Sequence, residues 1–130
     1  MFVLDTNTLI YHFRGHERIR QEMERLKIDQ LLLSVLVLYE LQVGLEKAGY
    51  PLRRVTQLEE MLNRITLVEF DEAAARSAAQ IRADLESQGT PIGPIDTLVA
   101  GVALSRDATL VTHNVREFAR IPDLKIVDWF

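Results

Sequence analysis

A chain of 130 residues with 48% hydrophobic and 26% charged residues carries enough apolar surface to bury a core of its own, and one domain over 1–130 is the simplest expectation. Cysteine is absent, which excludes disulfides, thiolate metal sites and cysteine nucleophiles and fits a reducing compartment such as the cytoplasm. The net charge of −4 argues against a surface coated in nucleic-acid-binding charge but leaves room for a local basic groove, and no apolar run approaches the ~20 residues that would span a bilayer.

The N-terminus has no basic region ahead of a signal-type apolar stretch, so secretion is not expected. "FVLD" reads as a short buried strand, and "TNTLIYHFR" has apolar residues at helical spacing up to Gly15. "HERIRQEMERLKI" is a charged amphipathic helix. "LLLSV" is a second buried strand, with Ser34 placed to cap the helix "VLVLYELQVGLEKAG", which Gly49 closes and Pro51 follows. "LRRVTQLEEMLNRI" is a further amphipathic helix and "TLVEF" a strand. The Ala-rich "DEAAARSAAQIRADLESQG" is a helix capped by Asp71 and ended by Gly89. After the turn "TPIGP", "IDTLVAGVALSRD" starts a helix beside Pro94. "ATLVT" is a strand, "NVREFAR" a short helix and "LKIVDW" a last short strand.

Short apolar strands alternating with helices predict an α/β fold: a three-layer α/β/α sandwich around a short-stranded parallel sheet. Ligands of such sheets sit beyond the carboxyl ends of the strands. Asp5 lies just past the first strand, and Thr112 and Asn114 close and follow "LVT". Glu40 is in the helix after "LLLSV", and Asp96 is in the first turn after "PIGP". Each has an ordinary alternative. Asp5 is a good helix N-cap, Glu40 suits a partly exposed ion pair, Asp96 suits a helix N-terminus, and Asn114 suits a turn. Their joint placement at one sheet edge favours a common site. Carboxylates gathered there repel unless protons or a cation intervene. Oxygen ligands without Cys or a His pair favour a hard cation, Mg²⁺ or Mn²⁺, and such an ion serves phosphodiester hydrolysis.

"LDTNTLIY", "YELQVG", "PIGPIDTLVAG" and "LVTHNVREFARIPDLKIVDW" resemble, in order and over essentially the whole chain, the motifs of PIN-domain ribonucleases, and most of all the VapC toxins of toxin–antitoxin systems. The resemblance implies a metal site of Asp5, Glu40 and Asp96, shaped by Thr6 and Asn7. Many PIN domains have a fourth acid where this chain has Asn114. Asn lacks the charge, so the number of metal ions turns on that position, and Glu117 nearby is a candidate substitute. By the same resemblance the chain is a Mg²⁺-dependent endoribonuclease that leaves a 5′-phosphate and a 3′-hydroxyl. It inhibits translation by cutting initiator tRNA in the anticodon stem-loop, forms a homodimer and is silenced by a VapB-like antitoxin.

For RNA binding, Arg116 and Arg120 follow the site most closely, and His113 between Thr112 and Asn114 faces either RNA, a neighbouring carboxylate or solvent. His12 and His16 are expected at the surface. Aromatic residues that reach unpaired bases are few (Tyr11, Phe13, Tyr39, Tyr50), which favours structured RNA read by shape over stacking. The apolar residues of "LIYHF" and "VLVLYELQVGL" belong to the core or to the antitoxin surface. Two rivals remain. One is a catalytically weak PIN-like module that acts through antitoxin association and operon repression, with Asn114 as its mark. The other is a phosphate-accepting signalling domain, which needs a lysine at the end of a late strand; "ATLVT" offers none and Lys125 lies inside "LKIVDW".

Overall fold

The computed structural model describes residues 1–130. Its strands are β1 (Phe2–Leu4), β2 (Leu31–Ser34), β3 (Thr66–Val68), β4 (Thr109–Val111) and β5 (Lys125–Val127). Its helices are α1 (Thr6–Phe13), α2 (Glu17–Arg25), α3 (Val35–Ala48), α4 (Leu52–Arg64), α5 (Glu72–Ser87), α6 (Pro94–Ser105) and α7 (Val115–Phe118). Every strand and helix expected from the sequence is present.

The strands in "TLVEF" and "LKIVDW" and the helix in "NVREFAR" are two or three residues shorter than their patterns, and the end of α2 changes form. The pattern of "HERIRQEMERLKI" continues to Ile28, but α2 stops at Arg25 and Leu26 turns extended (ψ 153°). A single 3₁₀ turn, Ile28–Gln30, follows. The cause is tertiary: Leu31 must enter the sheet opposite Phe2, so the chain turns before the helical pattern runs out.

The five strands are all parallel, in the order β3-β2-β1-β4-β5. The chain winds outward from β1 to β3, then returns to β4 on the other side of β1. Right-handed crossovers send the connections of the two halves to opposite faces of the sheet. The winding direction reverses between β1 and β4, whose residues pair Phe2 with Thr109 and Leu4 with Val111. That switch point opens a crevice at the carboxyl ends of the two strands. The core lies under it: Val3, Leu4, Leu33, Leu110 and Val111 are fully buried, as the continuous apolar strands require.

Local chemistry sets the helix ends. Ser34 Oγ accepts from the Leu36 and Val37 amides at 3.1 and 3.3 Å, and Asp71 Oδ1 accepts from the Ala74 amide at 2.9 Å. Gly49 ends α3 in the left-handed region (φ +74°), where a side chain is disfavoured. Helices α5 and α6 pack closely because Gly101 faces Ala74 and Ala78: a Cβ on Gly101 would meet the Ala78 Cβ at 2.7 Å and the Ala74 carbonyl oxygen at 2.8 Å. No helix is long and apolar enough to cross a membrane.

Candidate active site

The crevice at the switch point is acidic. Asp5 follows β1, is 6% exposed and uses its two oxygens separately. Oδ1 accepts from the Thr6 amide at 2.8 Å and caps α1. Oδ2 accepts from the Thr112 hydroxyl at 2.8 Å, across the gap to the end of β4. The capping role and the site role expected for Asp5 therefore coexist. Thr112 in turn accepts from the Asn114 amide at 3.0 Å, so the loop after β4 is tied to the end of β1.

The other acids arrive on helices. Glu40, on α3, accepts from the Thr6 hydroxyl at 2.6 Å. Glu117, on α7, accepts from the Asn114 side-chain amide at 3.0 Å. Asp96 stands in the first turn of α6, next to Gly93 and Pro94. Three neutral groups, Thr6, Thr112 and Asn114, thus each hold one carboxylate, and Asp96 has no such partner.

Burial first, and mutual repulsion second, shifts two of these acids. Burial pushes the Asp96 carboxyl up to about 6, and the charges of Asp5, Glu40 and Glu117 add to the rise. Burial also raises Asp5, against the opposing hydrogen bonds from Thr112 and Thr6, and Glu40 raises it further. No arginine or lysine pairs with Asp5, Glu40, Asp96 or Glu117; the ion pairs of the molecule are all formed by other acids. Their side chains do not close on a common point, and no three of them form a ready-made metal cage. An all-oxygen, uncompensated donor set of this kind nonetheless fits a hard divalent cation that keeps several waters, because such an ion needs only one or two direct carboxylates.

Glu117, the candidate substitute for a fourth acid, lies beside the other acids. Asn114 holds it, and its charge bears on Asp96. Its spacing of three from Asn114, on one helix face, was the available signal. Asn114 itself acts as a donor to Glu117, so a fourth negative charge reaches the site one turn later than the sequence motif places it. Asn7 is exposed in the first turn of α1 and makes no hydrogen bond to the acids.

Around the site, Arg116 is exposed on α7, whereas Arg120 donates to the Pro91 carbonyl at 3.1 Å and ties α7 to the loop before α6. His113 Nδ1 lies 3.0 Å from Asp128 Oδ2, which is the carboxylate contact among the expected alternatives. His12 and His16 are not free surface residues. His12 is half-buried, its Nδ1 is enclosed without a partner, and burial lowers its affinity for a proton. His16 caps α2, its Nδ1 accepting from the Ile19 amide at 3.4 Å. Lys125 pairs with Asp107 at 2.8 Å at the far end of β4 and β5, away from the acids, which removes the signalling-domain reading.

A crevice of clustered acids at the switch point of a five-stranded parallel sheet defines a class, and the comparisons with known proteins agree with it. The PIN domain family matches residues 2–124. A relative from Salmonella typhimurium named tRNA(fMet)-specific endonuclease VapC is 40% identical over 128 residues, which is 98% of this chain and 97% of that protein. Ribonuclease VapC2 of Rickettsia felis is 34% identical over 131 residues, 99% of this chain and 98% of that one. The crystal structure of DNA-bound VapBC from Salmonella typhimurium superposes with a TM-score of 0.92 at 40% identity, over 99% of this chain and 98% of that one. The chain belongs to the PIN-domain family and, within it, to the VapC ribonucleases.

Proposed function

We propose that this chain is the toxin of a VapBC-type pair, a Mg²⁺- or Mn²⁺-dependent endoribonuclease that cuts initiator tRNA in its anticodon stem-loop and so inhibits translation in the cytoplasm. The observation that carries the metal-dependent reading is the set of four carboxylates, Asp5, Glu40, Asp96 and Glu117, near enough for their charges to bear on Asp96 and with no basic side chain paired to them. Asp5, Glu40 and Asp96 are the residues that would hold the ion. Bound there, it supplies charge for the phosphate and acidifies a water for in-line attack, leaving a 5′-phosphate and a 3′-hydroxyl. The chain's own contribution is positional. Thr112 and Thr6 fix the oxygens of Asp5 and Glu40, and Asn114 fixes Glu117, so the acids do not scatter into water under their own repulsion.

The substrate reading is supported by the name of the Salmonella typhimurium relative, tRNA(fMet)-specific endonuclease. The antitoxin reading is supported by the VapBC complexes among the structural relatives and by a groove of about 200 Å³ between α1, α3 and α4, lined by Ile10, Phe13, Leu41 and Leu45. Ile10 and Phe13 of "LIYHF" are the partly exposed part of its lining, whereas Leu41 and Leu45 belong to the core. The alternative of a catalytically weak binding module rests on Asn114 being neutral; Glu117, hydrogen-bonded to it, restores the missing charge and weakens that reading.

The test is cleavage of purified initiator tRNA with and without Mg²⁺, the ends being mapped. Wild type is expected to cut within the anticodon stem-loop only with the metal, and Asp5→Asn to lose activity by about 10²-fold or more. Equal cleavage by wild type and Asp5→Asn would rule the reading out.

A further inference from the structure

The sequence shows few aromatic residues for stacking, yet the fold collects rings that are far apart in the chain. Phe130 is the centre. The His113 imidazole lies flat on it, with centroids 4.1 Å apart and planes 24° apart. On its other sides are Tyr11, edge-on at 4.8 Å, and His16 at 5.1 Å. The group is held in place: Arg18 donates to the Phe130 carbonyl at 2.7 Å, and the Phe130 amide donates to Asp128 Oδ1 at 2.9 Å. The other oxygen of Asp128 takes His113 Nδ1 at 3.0 Å. A carboxylate only accepts, so Nδ1 carries the hydrogen and the imidazole plane is fixed by both its edge and one face.

The His113 side chain is 60% exposed, so the ring stack ends in an open aromatic surface. Its position is informative. Thr112, the preceding residue, donates to Asp5, and Asn114, the following one, holds Glu117; consecutive Cα atoms are ~3.8 Å apart. The backbone of His113 therefore lies between two residues that hold the acids of the crevice. Arg14 lies over Tyr11 at 5.7 Å and Arg116 follows three residues after His113; both are exposed and neither forms an ion pair. Aromatic faces that prolong a stack, with unpaired arginines nearby, suit unpaired bases and the phosphates between them.

We propose that the outer face of His113 seats an unpaired nucleobase of the RNA substrate next to the cleaved phosphodiester, with Arg14 and Arg116 serving the flanking phosphates. This rests on the ribonuclease reading above and adds to it a base-stacking subsite at the rim of the acids. Phe130 and Asp128 are positioning residues for the imidazole.

The experiment measures binding of a short single-stranded RNA oligonucleotide to the full chain in the Asp5→Asn background, which halts cleavage and leaves the rings in place. Adding His113→Ala is expected to weaken binding about tenfold, and His113→Phe to retain it, as ring stacking requires. The dependence on salt should stay the same, since no phosphate contact is lost. An oligonucleotide with abasic positions should bind the parent as weakly as the intact RNA binds His113→Ala, and should bind His113→Ala no worse; this arm stands even if that variant folds poorly. Equal affinity of parent and His113→Ala for intact RNA, or a His113→Phe variant as weak as His113→Ala, overturns the proposal alone. A parent that binds no single-stranded RNA overturns the proposal as well, and the tRNA cleavage test decides the ribonuclease reading separately.

Discussion

Asp96 is the acid that the site leaves without a hydrogen-bond donor, and its chemistry follows from that. Its folded-state carboxyl is pushed up from 3.8 to about 6 by burial first and by Asp5, Glu40 and Glu117 next. Between those values the folded chain binds more protons than the unfolded one. Stability contributed by this group therefore falls as pH rises from about 4 to 6, and is lost in full above. Asp96→Asn removes the repulsion. The variant is expected to be more stable than wild type at pH 7.5 in a chelating buffer, by about 1 kcal/mol once the half-exposed position is discounted for solvent screening, and equal to it near pH 3.5. Urea denaturation at the two pH values checks this; no gain at pH 7.5 would show that the acids do not strain the fold. In the sequence, Asp5 stands out by following a strand, Asp96 by opening a helix, and Glu40 by its apolar setting within α3. Glu117 was less legible, because whether a residue of a four-residue helix turns inward depends on what Asn114 does with its amide.

At the level of elements, α6 delivers Asp96, and its seat on α5 is set by the absence of a side chain at Gly101. The obstacles to a Cβ there include the Ala74 carbonyl and the Ala78 amide nitrogen at 2.8 and 2.9 Å, which are backbone and do not yield. Gly101→Ala is expected to cost about 1–3 kcal/mol, as overpacking does, read as a lower midpoint in thermal or urea unfolding. An unchanged midpoint would mean that α5 and α6 separate freely. Most elements were legible because their signals are local: Ser34 and Asp71 at N-caps, Gly49 at a C-cap, apolar strands between them. The end of α2 was not, since the sheet register of Leu31, formed with a distant strand, overrides the helical pattern through Ile28.

Over the whole molecule, a chain of net charge −4 that binds a polyanion needs a cation at the crevice and arginines around it. Mg²⁺ or Mn²⁺ is expected to raise the melting temperature at pH 7.5, because an ion that binds only the folded state stabilises it by mass action. The rise should shrink at pH 5, where Asp96 holds its proton, and disappear in Asp5→Asn. Thermal melts across a metal titration give the answer, and a rise as large in Asp5→Asn as in wild type would place the ion elsewhere.

By itself the sequence determined the alternation of elements and the parallel α/β class, and it singled out Asp5, Glu40 and Asp96 as candidates, since strand burial, caps and helix periodicity are written within a few residues of each other. Only the tertiary structure decided that Asn114 turns Glu117 towards Asp96, that His12 lies half-buried, and that Tyr11, His16, His113 and Phe130 form one stack. Those contacts depend on where side chains point, or on segments up to a whole chain length apart, and no local pattern records the strand order that brings such segments together.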